Sequence, residues 1–232
     1  MNDKTIQTLN EINRRFYEIT AQEFDQTRGT PWLGWEKLVE HLPARELSVL
    51  DVGCGNGRFG VFLAEHRQIQ YHGMDNNPAL LQYAKDALQH IPATLEQRDV
   101  VQSPPDEGLF DVVVAFGLIH HIPGRQNRQR FIQQLAARVK PGGLLIFAAW
   151  CFYEFDRFKS RVTPWDDDLK SQVEAHDYLL DWRRGETALR YCHYVDEAEH
   201  AALIESTGFK EVITYRADGF TNTVNRYSIL QA

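Results

Sequence analysis

Cysteine is scarce in this chain of 232 residues, which contains only Cys54, Cys151 and Cys192. Their number is odd, and they form neither a CxxC pair nor a Cys/His ligand spacing. The sequence therefore indicates neither a disulfide framework nor a structural zinc site. We predict no bound metal and expect a reducing, cytoplasmic setting.

Long apolar runs are also lacking. The longest, residues 112–119 and 144–152, are far shorter than the ~18 residues that suggest a membrane-spanning helix. The first ten residues, MNDKTIQTLN, contain no apolar stretch of the kind that a signal peptide needs. We expect neither membrane insertion nor export.

Basic residues are fewer than acidic ones, 25 Lys and Arg against 32 Asp and Glu, which gives a net charge of −7. A molecule of this charge repels polyanions, so nucleic-acid binding would need a local basic patch. Residues 125–140 contain cations and no acidic residue, and they are the candidate for such a face. Its cations are Arg125, Arg128, Arg130, Arg138 and Lys140.

Short β-rich runs alternate with amphipathic helices over residues 47–150. This alternation predicts βαβ units around a buried parallel sheet, a doubly wound α/β fold. Residues 141–143, Pro-Gly-Gly, are predicted to end the helix that precedes the last strand of this region. The predicted strands are 47–52, 69–74, 94–99, 110–116 and 143–150.

Three segments flank this core. Residues 1–46 are predicted to be helical, and residues 151–190 are predicted to be an insertion over one rim of the sheet. Residues 191–232 are predicted to complete the sheet with a helix, started at Asp196 and stopped at Gly208, and two closing strands. Because those two strands are close in sequence, we expect them to pair as an antiparallel hairpin.

The strongest local signal is SVLDVGCGNGRFG, residues 48–60, a strand that ends in a glycine-rich turn and continues into a helix. The glycines permit a tight turn and close approach of a ligand, and the helix N-terminus offers unpaired N–H groups. The second strand leads to Asp75, whose carboxylate can accept hydrogen bonds from a ribose diol. Asp99 follows the third strand at the same edge of the sheet. These features predict a nucleotide-type cofactor site. We expect residues 1–46 to cover this site and the insertion at residues 151–190 to lie on its substrate side.

The identity of the cofactor stays open on the glycines alone, because Gly55, Gly57 and Gly60 also fit the GxGxxG dinucleotide pattern. The position of Asp51, the position of Asp99 and the antiparallel closing strands favour S-adenosylmethionine over a nicotinamide. The predicted cofactor-binding residues are Asp51, Gly53, Cys54, Gly55, Asn56, Gly57, Asp75, Asn76, Asp99, Val100, Phe116 and Leu118.

These motifs carry a family resemblance. LDVGCGNGRFG, Asp75, Asp99, FDVVVAFGLIHHI and VKPGGLLIF resemble, in order and spacing, the motifs of class I S-adenosylmethionine-dependent methyltransferases. The resemblance implies a Rossmann-like methyltransferase fold with a seven-stranded, mostly parallel sheet and a C-terminal antiparallel strand. The flanks FYEITAQEFDQTRGTPW and DYLLDWRRGETALRYCHYVDEAEHAALIESTGF resemble the tRNA wobble-uridine carboxymethyl methyltransferases. Cys192, where that family usually has an aromatic residue, and Leu33, where a second proline is common, depart from the pattern.

The resemblance implies a carboxylate acceptor, which is already ionised at neutral pH and needs no general base. Arg28 and Arg190 are the candidates that orient it, since a guanidinium binds a carboxylate through a bidentate fork. Tyr191 joins the candidate catalytic residues through the resemblance. His121, after the fourth strand, is a candidate general base if the acceptor is instead a hydroxyl or an amine.

The function that the sequence favours is therefore S-adenosylmethionine-dependent O-methylation of a carboxylate, such as carboxymethyluridine in tRNA. Three alternatives stay open at this level. They are a small-molecule methyltransferase with an oxygen or nitrogen acceptor, a nicotinamide oxidoreductase and a non-catalytic cofactor-binding protein. The need for an activator protein is also open.

Overall fold

The computed structural model describes residues 1–184 and 186–232, and it describes the side chains of all of these except residues 183, 184 and 186. The described residues form ten strands, eight α-helices and two short 3-10 helices, Ile119–His121 and Phe152–Glu154. The strands are β1 (Leu47–Val52), β2 (Ile69–Asp75), β3 (Ala93–Gln97), β4 (Phe110–Phe116), β5 (Val139–Trp150), β6 (Val162–Thr163), β7 (Asp177–Arg184), β8 (Glu186–His193), β9 (Lys210–Ala217) and β10 (Asn225–Gln231). The helices are α1 (Asp3–Thr27), α2 (Leu33–Val39), α3 (Arg58–His66), α4 (Pro78–Ala87), α5 (Arg125–Ala136), α6 (Asp156–Lys159), α7 (Asp167–Lys170) and α8 (Glu197–Thr207).

The central sheet has seven strands in the order β3-β2-β1-β4-β5-β10-β9. Strands β1 to β5 are parallel, and β10 is antiparallel to both β5 and β9. The predicted fold class and the antiparallel pairing of the last two strands are confirmed. Strand order reverses between β1 and β4, and a crevice opens there at the carboxyl ends of the strands, where ligands bind in open α/β sheets.

Each face of the sheet is covered by helices, and β1 shows why. Leu47 and Val49 pack on the side of Trp35 and Phe62, whereas Leu50 lies with residues of α5 and α8 on the opposite side. This division follows from the alternation of side chains along a strand. Both faces are apolar, which explains the nearly continuous hydrophobic sequence of the strand.

The helix boundaries follow local signals in the sequence. The Asp196 side chain accepts a hydrogen bond from the backbone N–H of Glu199 and caps α8, and Gly208 ends that helix with a φ of 69°. Asn2 caps α1 in the same way as Asp196 caps α8. Among the described residues, no helix is both long and apolar enough to span a membrane.

Pro-Gly-Gly at residues 141–143 does not end a helix, and that prediction is wrong. Helix α5 ends at Ala136, and the tripeptide lies inside β5, where the register against β4 shifts. Gly142 has a φ of 75°, and a Cβ on Gly143 would lie 2.7 Å from the carbonyl oxygen of Asp111. The glycines therefore permit the irregular backbone at which β5 approaches β4 closely.

A second, three-stranded antiparallel sheet, β6-β7-β8, is built by the segment that follows β5. Helix α1 packs against β8, so the N-terminal segment and this small sheet contact each other. Residues 191–193 belong to β8 of the small sheet. Among the described residues that follow it, β9 and β10 alone join the central sheet.

Candidate cofactor and acceptor sites

Two adjoining pockets lie at the carboxyl ends of the central strands. The first pocket contains the glycine turn together with Asp51, Asp75 and Asp99. The second pocket has a volume of about 390 Å³ and lies between α1, the small sheet and the turn that joins β9 to β10. The residues that line both pockets are Tyr17, Arg28, Trp32, Arg58 and Gly117.

The glycine turn forms one wall of the first pocket. Gly53 and Gly55 have φ angles of 79° and 55°, in the region that favours glycine. The backbone N–H groups of Gly53 and Cys54 both donate to the carbonyl oxygen of Met74, at 2.8 and 2.9 Å, which ties the turn to β2. Gly57 does not line either pocket. A Cβ added at Gly57 would lie 3.0 Å from the Cβ of Ala84, so glycine here allows α3 and α4 to pack closely.

Asp75 and Asp99 line the first pocket together, as the sequence predicts. Asp75 accepts hydrogen bonds from the backbone N–H groups of Gly55 and Asn77, each at 2.9 Å, and burial raises its pKa. Asp99 accepts from the Asn10 side chain at 2.7 Å. Because each carboxylate oxygen has two lone pairs, both residues can still accept a hydrogen bond from a ligand. The first pocket is also lined by Asn76, Val100, Phe116 and Leu118.

Buried acceptors at the back of the first pocket suit a ligand that carries a cation. The Tyr71 hydroxyl donates to Asp51 at 2.6 Å, and burial raises the pKa of Asp51 to about 7. Asn56 donates to Asp25 at 2.9 Å, while its buried Oδ1 has no hydrogen-bond partner among the residues described. An unpartnered buried acceptor is costly, and a bound ammonium group would satisfy it.

His121 lies in the first pocket, but its bonds do not suit a general base. Its Nδ1 donates to the carbonyl oxygen of Tyr191 at 2.9 Å, which leaves Nε2 to accept from the Tyr17 hydroxyl at 3.0 Å. Burial and the charge of Arg190 lower the pKa of His121 to about 3, so the imidazole is neutral. Its available lone pair is occupied by Tyr17, and His121 therefore positions that hydroxyl. His120, by contrast, lines the second pocket.

Arg28 and Arg190, the two candidates for orienting the acceptor, are far apart in sequence and both line the second pocket. The Arg190 guanidinium lies 5.1 Å from the ring centre of Phe16 and 4.6 Å from that of Trp150, and its buried Nε has no hydrogen-bond partner among the residues described. Arg28 lies 4.2 Å from the ring centre of Phe24. The pocket thus combines aromatic walls with guanidinium groups, an arrangement suited to an anionic, planar ligand.

Tyr191 is not in either pocket, which corrects its predicted catalytic role. Successive side chains of a strand point to opposite faces, so Arg190 and Tyr191 in β8 cannot both face the second pocket. The Tyr191 side chain is fully buried, and its hydroxyl donates to Asp177 at 2.8 Å.

Two of the five cations of the predicted basic face at residues 125–140, Arg128 and Lys140, pair with carboxylates within the fold, which corrects that prediction in part. Arg128 is fully buried and bonds to Glu199 and Glu174 at 2.6 and 3.1 Å. Lys140 bonds to Asp111 at 3.0 Å, and Arg138 donates to a backbone carbonyl oxygen. The acidic partners come from distant parts of the chain, which is why a local scan for charge overstated this face.

Sequence reasoning missed several residues of the first pocket, namely Asn10, Asn13, Tyr17 and Phe24 of α1 and Arg58 of α3. Burial lowers the pKa of Arg58 to about 9, with the charge of Arg28 acting in the same direction. Tyr17 and Phe24 stand in the flank FYEITAQEF, but helical periodicity shows only which face of α1 is buried. It does not show that this face covers a ligand.

The strand order, the glycine turn after β1 and the acidic residues after β2 and β3 define the class of nucleotide-cofactor enzymes built on a doubly wound α/β sheet. The sequence profile of the family described as "Methyltransferase domain" matches residues 49–143. A protein of Encephalitozoon cuniculi named "Putative methyltransferase" is 30% identical over 197 residues, which cover 84% of this chain and 86% of that protein. The chain therefore belongs to the S-adenosylmethionine-dependent methyltransferases. This membership excludes the nicotinamide alternative and makes S-adenosylmethionine the cofactor.

Relatives with a more specific name are less similar. The tRNA (carboxymethyluridine(34)-5-O)-methyltransferase of Schizosaccharomyces pombe is 24% identical over 217 residues, covering 88% of this chain and 90% of that protein. The protein of the same name from Arabidopsis thaliana is 28% identical over 160 residues, 69% of this chain, and this chain spans only 37% of its length. An S-adenosylmethionine-dependent methyltransferase from Clostridium acetobutylicum shares the fold, with a TM-score of 0.66 and 16% identity over 93% of this chain and 98% of that one.

Proposed function

We propose that this methyltransferase esterifies the carboxylate of a carboxymethyl group carried by a uridine of tRNA. The observation that carries the proposal is Arg190, a half-buried side chain at the second pocket. Its guanidinium lies against the rings of Phe16 and Trp150, and its buried Nε has no hydrogen-bond partner among the described residues. A carboxylate matches such a donor in charge and geometry. The names of the fission yeast and plant relatives support the choice of carboxymethyluridine as the group that bears it.

Within this proposal the first pocket holds the cofactor. Asp75 accepts hydrogen bonds from the ribose hydroxyls, and Asp99 and Val100 lie at the adenine, with Phe116 and Leu118 as its apolar wall. Asn56 Oδ1 and Asp51 accept hydrogen bonds from the ammonium group of the cofactor, because their oxygens are buried acceptors. The glycine turn, with Cys54, allows the backbone to approach the amino-acid portion closely.

The bound cofactor supplies an electrophilic methyl group on a sulfonium. The protein's own contribution is alignment, because an ionised carboxylate needs no proton removed. Arg190 and Arg28 hold the acceptor carboxylate in the second pocket, and Arg28 lies where this pocket meets the first. Tyr17, oriented by neutral His121, lies at the same junction. Because its pKa is lowered to about 3 and its Nε2 accepts from Tyr17, His121 is a poor general base, which agrees with a carboxylate acceptor that needs none.

The test of the proposal is methyl transfer from methyl-labelled S-adenosylmethionine to tRNA. We expect label in tRNA that mild alkali releases, because alkali cleaves a methyl ester. Label that resists alkali would contradict a carboxylate acceptor. Transfer to a metabolite extract that ribonuclease treatment leaves unchanged would instead favour a small-molecule acceptor.

Replacing Asp75 with alanine is expected to weaken binding of S-adenosylhomocysteine by about 10- to 100-fold, since it removes charge-assisted acceptors for the ribose hydroxyls. The loss of the bonds to Gly55 and Asn77 loosens the glycine turn in the same direction. Calorimetric titration measures the affinity, and exposed Asp86→Ala on α4 is the matched control. Unchanged affinity in Asp75→Ala would show that the ribose lies elsewhere.

A further inference from the structure

An aromatic side chain is exposed beside the second pocket. Phe220 is 54% exposed and lies in the turn between β9 and β10, where it lines this pocket. The turn is held in shape, because the Asn222 side chain accepts from the backbone N–H of Asp218 and the N–H of Val224 donates to the carbonyl oxygen of Asp218. Phe220 contacts Phe155 and Phe158, with ring centres 5.4 and 6.1 Å apart. The ring therefore offers a fixed, exposed surface.

Two arginines accompany this ring. The Arg157 guanidinium lies 5.1 Å from the ring centre of Phe220, and both Arg157 and Arg161 line the second pocket. Lys159, two residues along the short helix α6, lies instead over Tyr153 and does not line that pocket. We call Arg157, Arg161 and Phe220 the rim of the second pocket.

The charge of the second pocket is opposite to that of the whole chain, whose net charge is −7. Its acidic lining residues are Asp181 and Asp218, and the Asp218 carboxylate accepts hydrogen bonds from Gly34 and Tyr227 at 2.8 and 2.6 Å. Asp218 is therefore engaged within the fold. The arginines of the pocket are Arg28, Arg58, Arg157, Arg161 and Arg190. The proposed function assigns Arg28 and Arg190 to the acceptor carboxylate, and the two arginines of the rim line the same pocket.

We propose that the rim binds the nucleotide next to the acceptor uridine in single-stranded RNA. Phe220 stacks on the base of that nucleotide, and Arg157 and Arg161 bind the phosphate that joins it to the acceptor. Stacking on exposed aromatic rings, with arginine at the phosphates, is how proteins hold unpaired RNA bases. The inference rests on the proposed function for the identity of the acceptor, but RNA binding by the rim is measured separately.

Binding is tested with the full chain and a fluorescein-labelled, single-stranded RNA heptamer of adenosine and uridine. We expect Phe220→Ala to weaken binding about tenfold, as loss of one base–aromatic stack does, and Phe220→Trp to restore it. Arg157→Ala is expected to weaken binding and to lower the slope of log affinity against log salt by about 0.7, the contribution of one single-strand phosphate contact. Lys159→Ala is the matched cation control and should change affinity less than twofold.

The same variants are then assayed for methyl transfer to free 5-carboxymethyluridine, which has no phosphate and no neighbouring base. In Phe220→Ala and Arg157→Ala the loss of kcat/KM is expected to be at least about tenfold smaller for this nucleoside than for tRNA, because the nucleoside lacks the phosphate and the base that the rim binds. Equal losses for nucleoside and tRNA, or heptamer affinities that match the unsubstituted protein, would overturn the rim proposal. Rim-dependent heptamer binding with no alkali-labile label in tRNA would instead overturn the proposed function alone.

Discussion

The variant Arg190→Ala is expected to lower kcat/KM for the carboxylate acceptor by about 100- to 1000-fold, while the affinity for S-adenosylhomocysteine stays within twofold. Removing one partner of a buried, hydrogen-bonded charge pair costs about 2–5 kcal/mol, and each 1.4 kcal/mol is a factor of ten. The Arg190 side chain lines the second pocket and not the first. Its loss is therefore expected to weaken acceptor binding and to leave cofactor binding unchanged. Steady-state kinetics with varied acceptor and a calorimetric titration measure the two quantities.

Two companion variants make this result specific. Arg190→Lys keeps the charge but loses the planar fork, so it should recover only part of the activity. Arg130→Ala removes an exposed arginine of α5 that lines neither pocket, and it should leave kcat/KM within twofold if the acceptor binds in the second pocket as proposed. A large loss of kcat/KM in Arg130→Ala would support acceptor binding by the basic face at residues 125–140. A small loss of kcat/KM in Arg190→Ala would show that the carboxylate does not bind at Arg190 in the second pocket.

The parts of the site that follow from local sequence could be predicted. The strand, glycine turn and helix at residues 48–60 form one continuous segment, and Asp75 and Asp99 follow strands whose carboxyl ends must meet at one edge. A parallel arrangement of the strands is enough to place Asp75 and Asp99 at the same edge of the sheet. Arg28 and Arg190 could be paired only through the family resemblance, because nothing in local periodicity brings α1 and β8 together.

Charge pairing between distant segments could not be predicted in this way. The sequence around Arg128 suggests a solvated helix residue, yet its partner Glu174 lies between α7 and β7 and its partner Glu199 lies in α8. Tyr191 is different, because strand alternation in β8 already separates it from Arg190. The predicted segment boundary between residues 190 and 191 divides β8, so the sequence analysis did not treat Arg190 and Tyr191 as neighbours in one strand.

The variant Arg128→Ala is expected to lower the free energy of unfolding by about 3–5 kcal/mol, the cost of breaking a buried ion pair by removing one partner. Arg128 is fully buried and bonds to Glu199, Glu174 and the carbonyl oxygen of Ile122. Such a loss is a large fraction of the ~5–15 kcal/mol that holds an ordinary domain folded. Urea unfolding followed by circular dichroism measures it, with exposed Arg125→Ala on the same helix as the control, expected within about 0.5 kcal/mol.

The pH dependence of this loss separates an ion pair from a simple cavity. Burial raises the pKa of Glu199, but the hydrogen bond from His193 and the charge of Arg128 outweigh it and lower the pKa to about 2. A carboxylate with a depressed folded pKa stabilises the fold above its unfolded pKa and loses that contribution as pH falls toward the folded value. The difference between the unsubstituted chain and Arg128→Ala should therefore shrink between about pH 5 and pH 2. A difference that stays constant across this window would assign the loss to packing, and the network joining Arg128, Glu199, His193 and Asp177 would not act through charge.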